Sequence, residues 1–189
     1  MGTSPDAALR GTHDKAMITC LISGGQTGAD RAALDFAVQR GIPHGGWIPR
    51  GRKTEAGPLP ERYRLQETTS GAYAERTEKN VLLADGTLII SRGGLKGGSL
   101  LTGTLAERHG RPWLHADLSR WSVEEAAGRI RGWIRDRSIG VLNVAGPRAS
   151  QDPDIYEAVR SVLEAVFAVP GETGPGEAPG VAEREKGAS

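Results

Sequence analysis

The chain predicts an α/β domain, a three-layer doubly wound fold with a parallel sheet between helices, and three observations carry that expectation. Short apolar runs of strand length alternate with longer stretches whose apolar residues recur every three to four positions. The runs are nearly continuous rather than alternating, as in strands covered on both faces of a parallel sheet. Twice, a strand passes into a helix through a glycine-rich loop, at Ser23–Gly28 and at Ser91–Ser99.

The first unit is MITCLISGGQTGADR, Met17–Arg31. Met17–Ile22 reads as a buried strand, with Cys20 as a small core residue within it. Ala29, Ala32, Ala33, Phe36 and Ala37 then line one face of a helix from about Gly28 to Arg40. Thr27 and Asp30 have the spacing of a capping pair. Gly41–Pro43 turns the chain into a second short strand, His44–Ile48. Prolines and glycines make Pro49–Tyr63 an ordered loop at that strand's carboxyl end, carrying Arg50, Arg52, Lys53 and Glu55. Leu65–Ser70 holds a short extended piece, and Tyr73–Leu83 a helix with Tyr73, Thr77 and Val81 inward.

Asp85–Gly86 leads into the buried strand Thr87–Ile90 and the second glycine loop. Ser99 is the expected cap of the next helix, with Leu101, Thr104 and Leu105 inward, and Lys96 within reach of an anion at its start. Trp113–Ala116 is a strand, and Ser122–Glu125 a capping box that opens a helix running to about Arg137. Gly140–Val144 is the last strand, in which the polar Asn143 must find a partner. The loop Ala145–Gln151 carries Arg148, and Asp152 with Pro153 is expected to start the final helix, striped by Ile155, Val159, Val162, Leu163 and Val166.

Composition narrows the function. A formal charge of +1, from 24 basic and 23 acidic residues, gives no electrostatic case for a general nucleic-acid binder. The amino-terminal 15 residues lack the apolar core of a signal peptide, and no run approaches the roughly 20 apolar residues of a membrane span. One cysteine cannot form an internal disulfide, and the expected location is cytoplasmic. Residues 170–189 read as a disordered tail, leaving one domain at 16–169. The four histidines and Cys20 have no metal-ligand spacing, so no direct protein–metal site is expected.

The loops after the strands share one rim of such a sheet, which is where the site belongs. GGQTGADR is neither a dinucleotide fingerprint nor a P-loop, which argues against an ordinary dehydrogenase or nucleoside triphosphatase. Two glycine-led helix starts can each cradle a phosphate, or simply tighten a turn.

The stretches ISGGQTGADRAALD, GWIPRGRKTEAGPLPERY, ERTEKNVLLADGTLIIS, GGSLLTGTLA and LNVAGPR, spread over about Met17–Phe167, resemble the molybdenum carrier family. That family is a Rossmann-like branch related to the lysine-decarboxylase-like, cytokinin-activating proteins and to the DNA-processing protein DprA. The resemblance implies a phosphorylated ligand above the sheet, either a nucleotide-like molecule or molybdenum cofactor. It places Ser23, Gly24, Gly25, Gln26, Thr27, Gly28 and Arg31 at one binding loop and Gly97, Gly98, Ser99 and Thr102 at the other. Arg52, Lys53, Asn143 and Arg148 complete the expected binding set, drawn from the rim loops and the end of the last strand.

The cytokinin-activating relatives cleave a glycosidic bond with a P-G-G-x-G-T-x-x-E loop. Here the sequence is GGLKGGSLLTGTLAE, with no such proline and with Glu107 displaced along the helix. The expected function is therefore a binding or carrier protein for a phosphorylated pterin or nucleotide-like ligand. The alternatives are a phosphoribohydrolase-like enzyme, for which Asp30 and Glu55 are the available carboxylates, and a nucleotide sensor. A homo-oligomer is expected, with no membrane partner.

Overall fold

A computed structural model describes residues 18–168. The expected segments at 1–15 and 170–189 lie outside the described residues. Five parallel strands form the sheet: β1 (Cys20–Ile22), β2 (His44–Gly45), β7 (Gly86–Ser91), β8 (Trp113–Asp117) and β9 (Val141–Ala145). The remaining strands are β3 (Trp47–Ile48), paired with β6 (Gln66–Glu67), and the antiparallel β4 (Lys53–Thr54) and β5 (Gly57–Pro58). The helices are α1 (Ala29–Arg40), α2 (Tyr73–Leu83), α3 (Gly97–Arg108), α4 (Val123–Asp136) and α5 (Ile155–Phe167).

The sheet order is β2-β1-β9-β7-β8. Were β9 and α5 to precede β1, the same order would read 3-2-1-4-5, that of the dinucleotide-binding doubly wound fold. β9 therefore occupies the central position of a first strand although it comes last in the chain. Beside it, the connections from β9 and β7 depart on opposite faces, and such a switch point opens a crevice at the strands' carboxyl ends.

Leu21, Leu88, Ile90, Leu142 and Val144 face α1, α4 and α5, where Phe36, Ile130, Val159 and Leu163 close the main core. On the opposite face α2 and α3 bring Val81, Leu105 and Ala106 together with Trp113. A satellite core of Leu34, Ile48, Leu59, Tyr63 and Leu65 orders the long loop after β3, which contains the small β4–β5 hairpin.

Local signals set several elements where the sequence placed them. Gly41 ends α1 in the left-handed conformation, and Ser122 with Glu125 forms the complete capping box of α4. Other expectations are corrected. Cys20 is only partly buried, at the start of β1. His44–Ile48 is split at Gly46, whose φ of 118° breaks the extended course and sends β3 to a different sheet from β2; a Cβ there would lie 2.4 Å from the Ser23 carbonyl oxygen.

α3 starts earlier than its expected cap. Lys96 is the N-cap and Ser99 lies buried in the first turn. Its inner stripe is small: Ser99, Thr102, Gly103 and Ala106 are buried with Leu105, while Thr104 is exposed. The reason is Trp113, whose ring lies 3.3 Å from where a Cβ on Gly103 would be. α5 starts at Ile155 with Asp154 as N-cap, because the Asp152 carboxylate is bound by Arg92 and accepts the Asp154 amide.

Candidate functional site at the carboxyl edge of the sheet

The two glycine loops, so alike in sequence, differ in what covers them. At the first, Ser23 Oγ donates to the Val144 carbonyl at 2.9 Å, and the Arg76 guanidinium lies directly over Gly24. Gln26 Oε1 accepts the amides of Thr27 and Glu55, at 3.0 and 2.9 Å. The Ala29 amide donates to the Pro147 carbonyl at 3.1 Å, and the Ala149 amide to Thr27 Oγ1 at 3.1 Å. The start of α1 is thus bonded to protein, and the expected capping pair is replaced by Asp30 accepting the Gln26 amide at 3.3 Å. This loop is a seam between β1 and the loop after β9.

The second loop faces space. A Cβ on Gly93, Gly94 or Gly98 would meet nothing within 4 Å. Ser91, Gly93, Lys96, Ser99, Pro147 and Gln151 border a cleft of about 530 Å³, within the roughly 300–1,000 Å³ of small-molecule sites. Ser99 and Gln151 also border a smaller recess of about 70 Å³ that runs toward Gln26, Asp30, Arg76 and Arg148. The Ser99 amide donates to the Lys96 carbonyl at 3.1 Å, while the Gly97 and Gly98 amides precede the hydrogen-bond ladder of α3, so the helix start favours negative charge.

Asp30 and Arg76 form a buried pair in that recess, Nη1 to Oδ2 at 3.0 Å with the carboxylate side chain 5% exposed. Burial raises the Asp30 pKa above the usual carboxylate value, against the opposing charge of Arg76 and the hydrogen bond from the Gln26 amide. Sequence reasoning missed Arg76. Its signal was a charge on the inner stripe of α2, between Tyr73 and Thr77. The Tyr73 ring is approached by three cations, Lys53 at 5.6 Å and Arg76 and Arg148 at 5.8 Å.

Glu55 reaches across from β4–β5 to Thr27 and to Ser150, whose amide and hydroxyl donate to it at 3.1 and 2.5 Å. Burial works to raise its pKa, but the bonds from Ser150 and Thr27 outweigh that and hold it low. Arg148 Nη1 stands 3.9 Å from the same carboxylate, so Glu55, Arg148 and the first glycine loop do meet at one rim.

Three expected binding residues are engaged elsewhere. Asn143 is buried in β9 and donates to Thr87 Oγ1 at 3.2 Å, the partner its position required. Arg31 stacks on Tyr63, 5.0 Å from the ring centre. Arg52 donates to the carbonyls of Leu59, Pro60 and Tyr63 at 2.7, 3.0 and 2.8 Å, tying its own loop. Arg52→Ala should therefore cost about 1–3 kcal/mol of stability by leaving these carbonyls unpaired. Chemical denaturation checks the loss, and a denaturant midpoint equal to that of the wild type would release Arg52 from this role.

The donors at this edge suit anionic oxygens. Among the described residues no cluster of three or more His, Cys, Asp or Glu could hold a metal ion, and no helix is long and apolar enough to cross a membrane. Fold and cleft together define a Rossmann-like domain with an open cleft at the switch point beside β9. The permuted strand order agrees with the family match: residues 21–167 fit the circularly permuted YpsA SLOG family, and the chain belongs to it. It is also 58% identical to a crystal structure from Syntrophus aciditrophicus SB named "Putative molybdenum carrier protein", covering 80% of this chain and 96% of that one with a TM-score of 0.79. No match was found among curated proteins.

Proposed function

We propose that the protein binds a phosphorylated, nucleotide-like or pterin-like ligand in the cleft at the start of α3 and holds it without turnover. One observation carries this reading: a glycine-led helix start opens on a cleft of about 530 Å³ at the topological switch point. The Syntrophus relative is named a molybdenum carrier, and molybdenum cofactor, a phosphorylated pterin, is the ligand of this class that would bring molybdenum to the cleft. The donor set is consistent with that, because Arg148, Lys96, Gln151 and the α3 amides suit phosphate and pterin oxygens. Any metal would arrive held by the organic ligand.

The hydrolase reading is favoured by one feature, the carboxyl of Asp30 in the recess beside the cleft. Glu107, by contrast, is exposed in the last turn of α3, far along the helix from the cleft.

The test begins with native mass spectrometry of protein purified without added ligand, followed by incubation with nucleoside monophosphates. A retained phosphorylated compound at one per chain, with no free base released, is the expected result. Multiple-turnover release of base that disappears in Asp30→Asn would replace the binding reading with the enzymatic one.

A further inference from the structure

Two of the residues that line the recess beside the cleft carry buried donors that lack acceptors. Gln26 is 7% exposed, and its Oε1 already accepts two amides, those of Thr27 and Glu55. Both partners are N–H donors, so the side-chain amide cannot be turned around, and Nε2 is left buried with no partner. Gln26 lines the recess. Arg76 Nε is likewise buried without an acceptor, while its Nη1 holds Asp30. A buried donor is costly to leave unpaired, so the two together ask for an acceptor. Gly98 and Ser99, in the first turn of α3, also line the recess, together with Arg148.

Size separates the recess from the cleft. At about 70 Å³ against 530 Å³, the recess admits one small group, while a ring system fits the cleft alone. Asp30 borders the recess too, but its Oδ2 is taken by Arg76 and the Gln26 amide at 3.0 and 3.3 Å. Its charge is thus met by groups already in place.

We propose that the recess is a subsite for one tetrahedral oxyanion, recognised by Gln26 Nε2, Arg76, Arg148 and the start of α3. The oxyanion is either the terminal phosphate of a monoester whose organic part lies along Gly93–Lys96, or a free oxyanion of the same shape. This rests on the ligand-binding reading above and deepens it: recognition of the anion falls to Gln26 and Arg76 rather than to the first loop's glycines.

Isothermal titration with adenosine monophosphate, adenosine, orthophosphate and molybdate tests it on the wild type, Gln26→Glu and Arg148→Ala. Gln26→Glu keeps an acceptor for the Thr27 and Glu55 amides but puts a charged carboxylate oxygen where the unpaired donor stood, so it opposes an anion there both by removing the donor and by its charge. The wild type should prefer the monophosphate to the nucleoside, with orthophosphate competing. Gln26→Glu should lose about ten- to a hundredfold in monophosphate affinity, so that its preference over the nucleoside collapses. Binding of molybdate without the monophosphate would identify a free oxyanion as the occupant. Should Gln26→Glu fail to fold, the same collapse in Arg148→Ala decides, since that side chain is 38% exposed at the rim. Equal affinity for monophosphate and nucleoside, with no competition by orthophosphate, would overturn the subsite and leave the ligand-binding reading standing. Binding of none of the four would overturn both.

Discussion

Arg76→Ala is expected to destabilise the protein by about 3–5 kcal/mol at neutral pH, the usual consequence of stripping a buried carboxylate of its cation. The partner left behind is Asp30, 5% exposed and held by Arg76 at 3.0 Å. The pH dependence has a definite sign. Burial raises the folded-state pKa of Asp30 above its unfolded value, so between the two the fold carries the extra proton and stability falls as pH rises through that window. Losing the cation moves the folded pKa further up. The variant should therefore recover part of its lost stability as pH is lowered from neutral to mildly acid, because the released Asp30 then takes up its proton more readily. Pairing the change with Asp30→Asn, as Asp30→Asn/Arg76→Met, should restore most of it by removing both charges. Urea denaturation at the two pH values measures each claim. Equal losses at both would mean that Asp30 is not left charged and unpaired.

The same pair shows where sequence reasoning stops. Asp30 and Arg76 are 46 residues apart, and nothing local in either segment announces the other. What was legible was local or periodic: the capping box at Ser122, the bounds of α2, the alternation of buried strands with helices. The two glycine loops were both visible, but which one stays open is decided by a third segment. Pro147–Ala149 lies on the first loop, and no comparable cover lies over Gly93, Gly94 or Gly98. Gln26 illustrates the same limit: its Oε1 is spent on Glu55, a contact that depends on a hairpin of two-residue strands too short to show a period. Arg52 and Lys53, adjacent and both cationic, part ways because one turns to loop carbonyls and the other to the Tyr73 ring.

The cover over the first loop is itself open to a second large test. Gly28 has φ 73° and ψ −126°, a region that a side chain strongly disfavours. A Cβ there would lie 2.6 Å from the Pro147 carbonyl oxygen and 2.8 Å from the Ala149 nitrogen. Both contacts are backbone, so no flexible side chain can swing aside. Backbone strain and overpacking together set the expected cost of Gly28→Ala at about 2–5 kcal/mol. The effect should not stop at stability. Relief requires the segment Pro147–Ala149 to lift away from Thr27, and Arg148 lies in that segment at the rim of the recess. Gly28→Ala should therefore weaken monophosphate binding as well, even at temperatures where the variant remains folded. Gly110→Ala is the control, for it also replaces a glycine with positive φ, at 60°, but would meet nothing within 4 Å. It should lose only the conformational part, about 1 kcal/mol, and keep its affinity. If the two alanine variants melt and bind alike, the tight seam between the first glycine loop and Pro147–Ala149 does not govern the site.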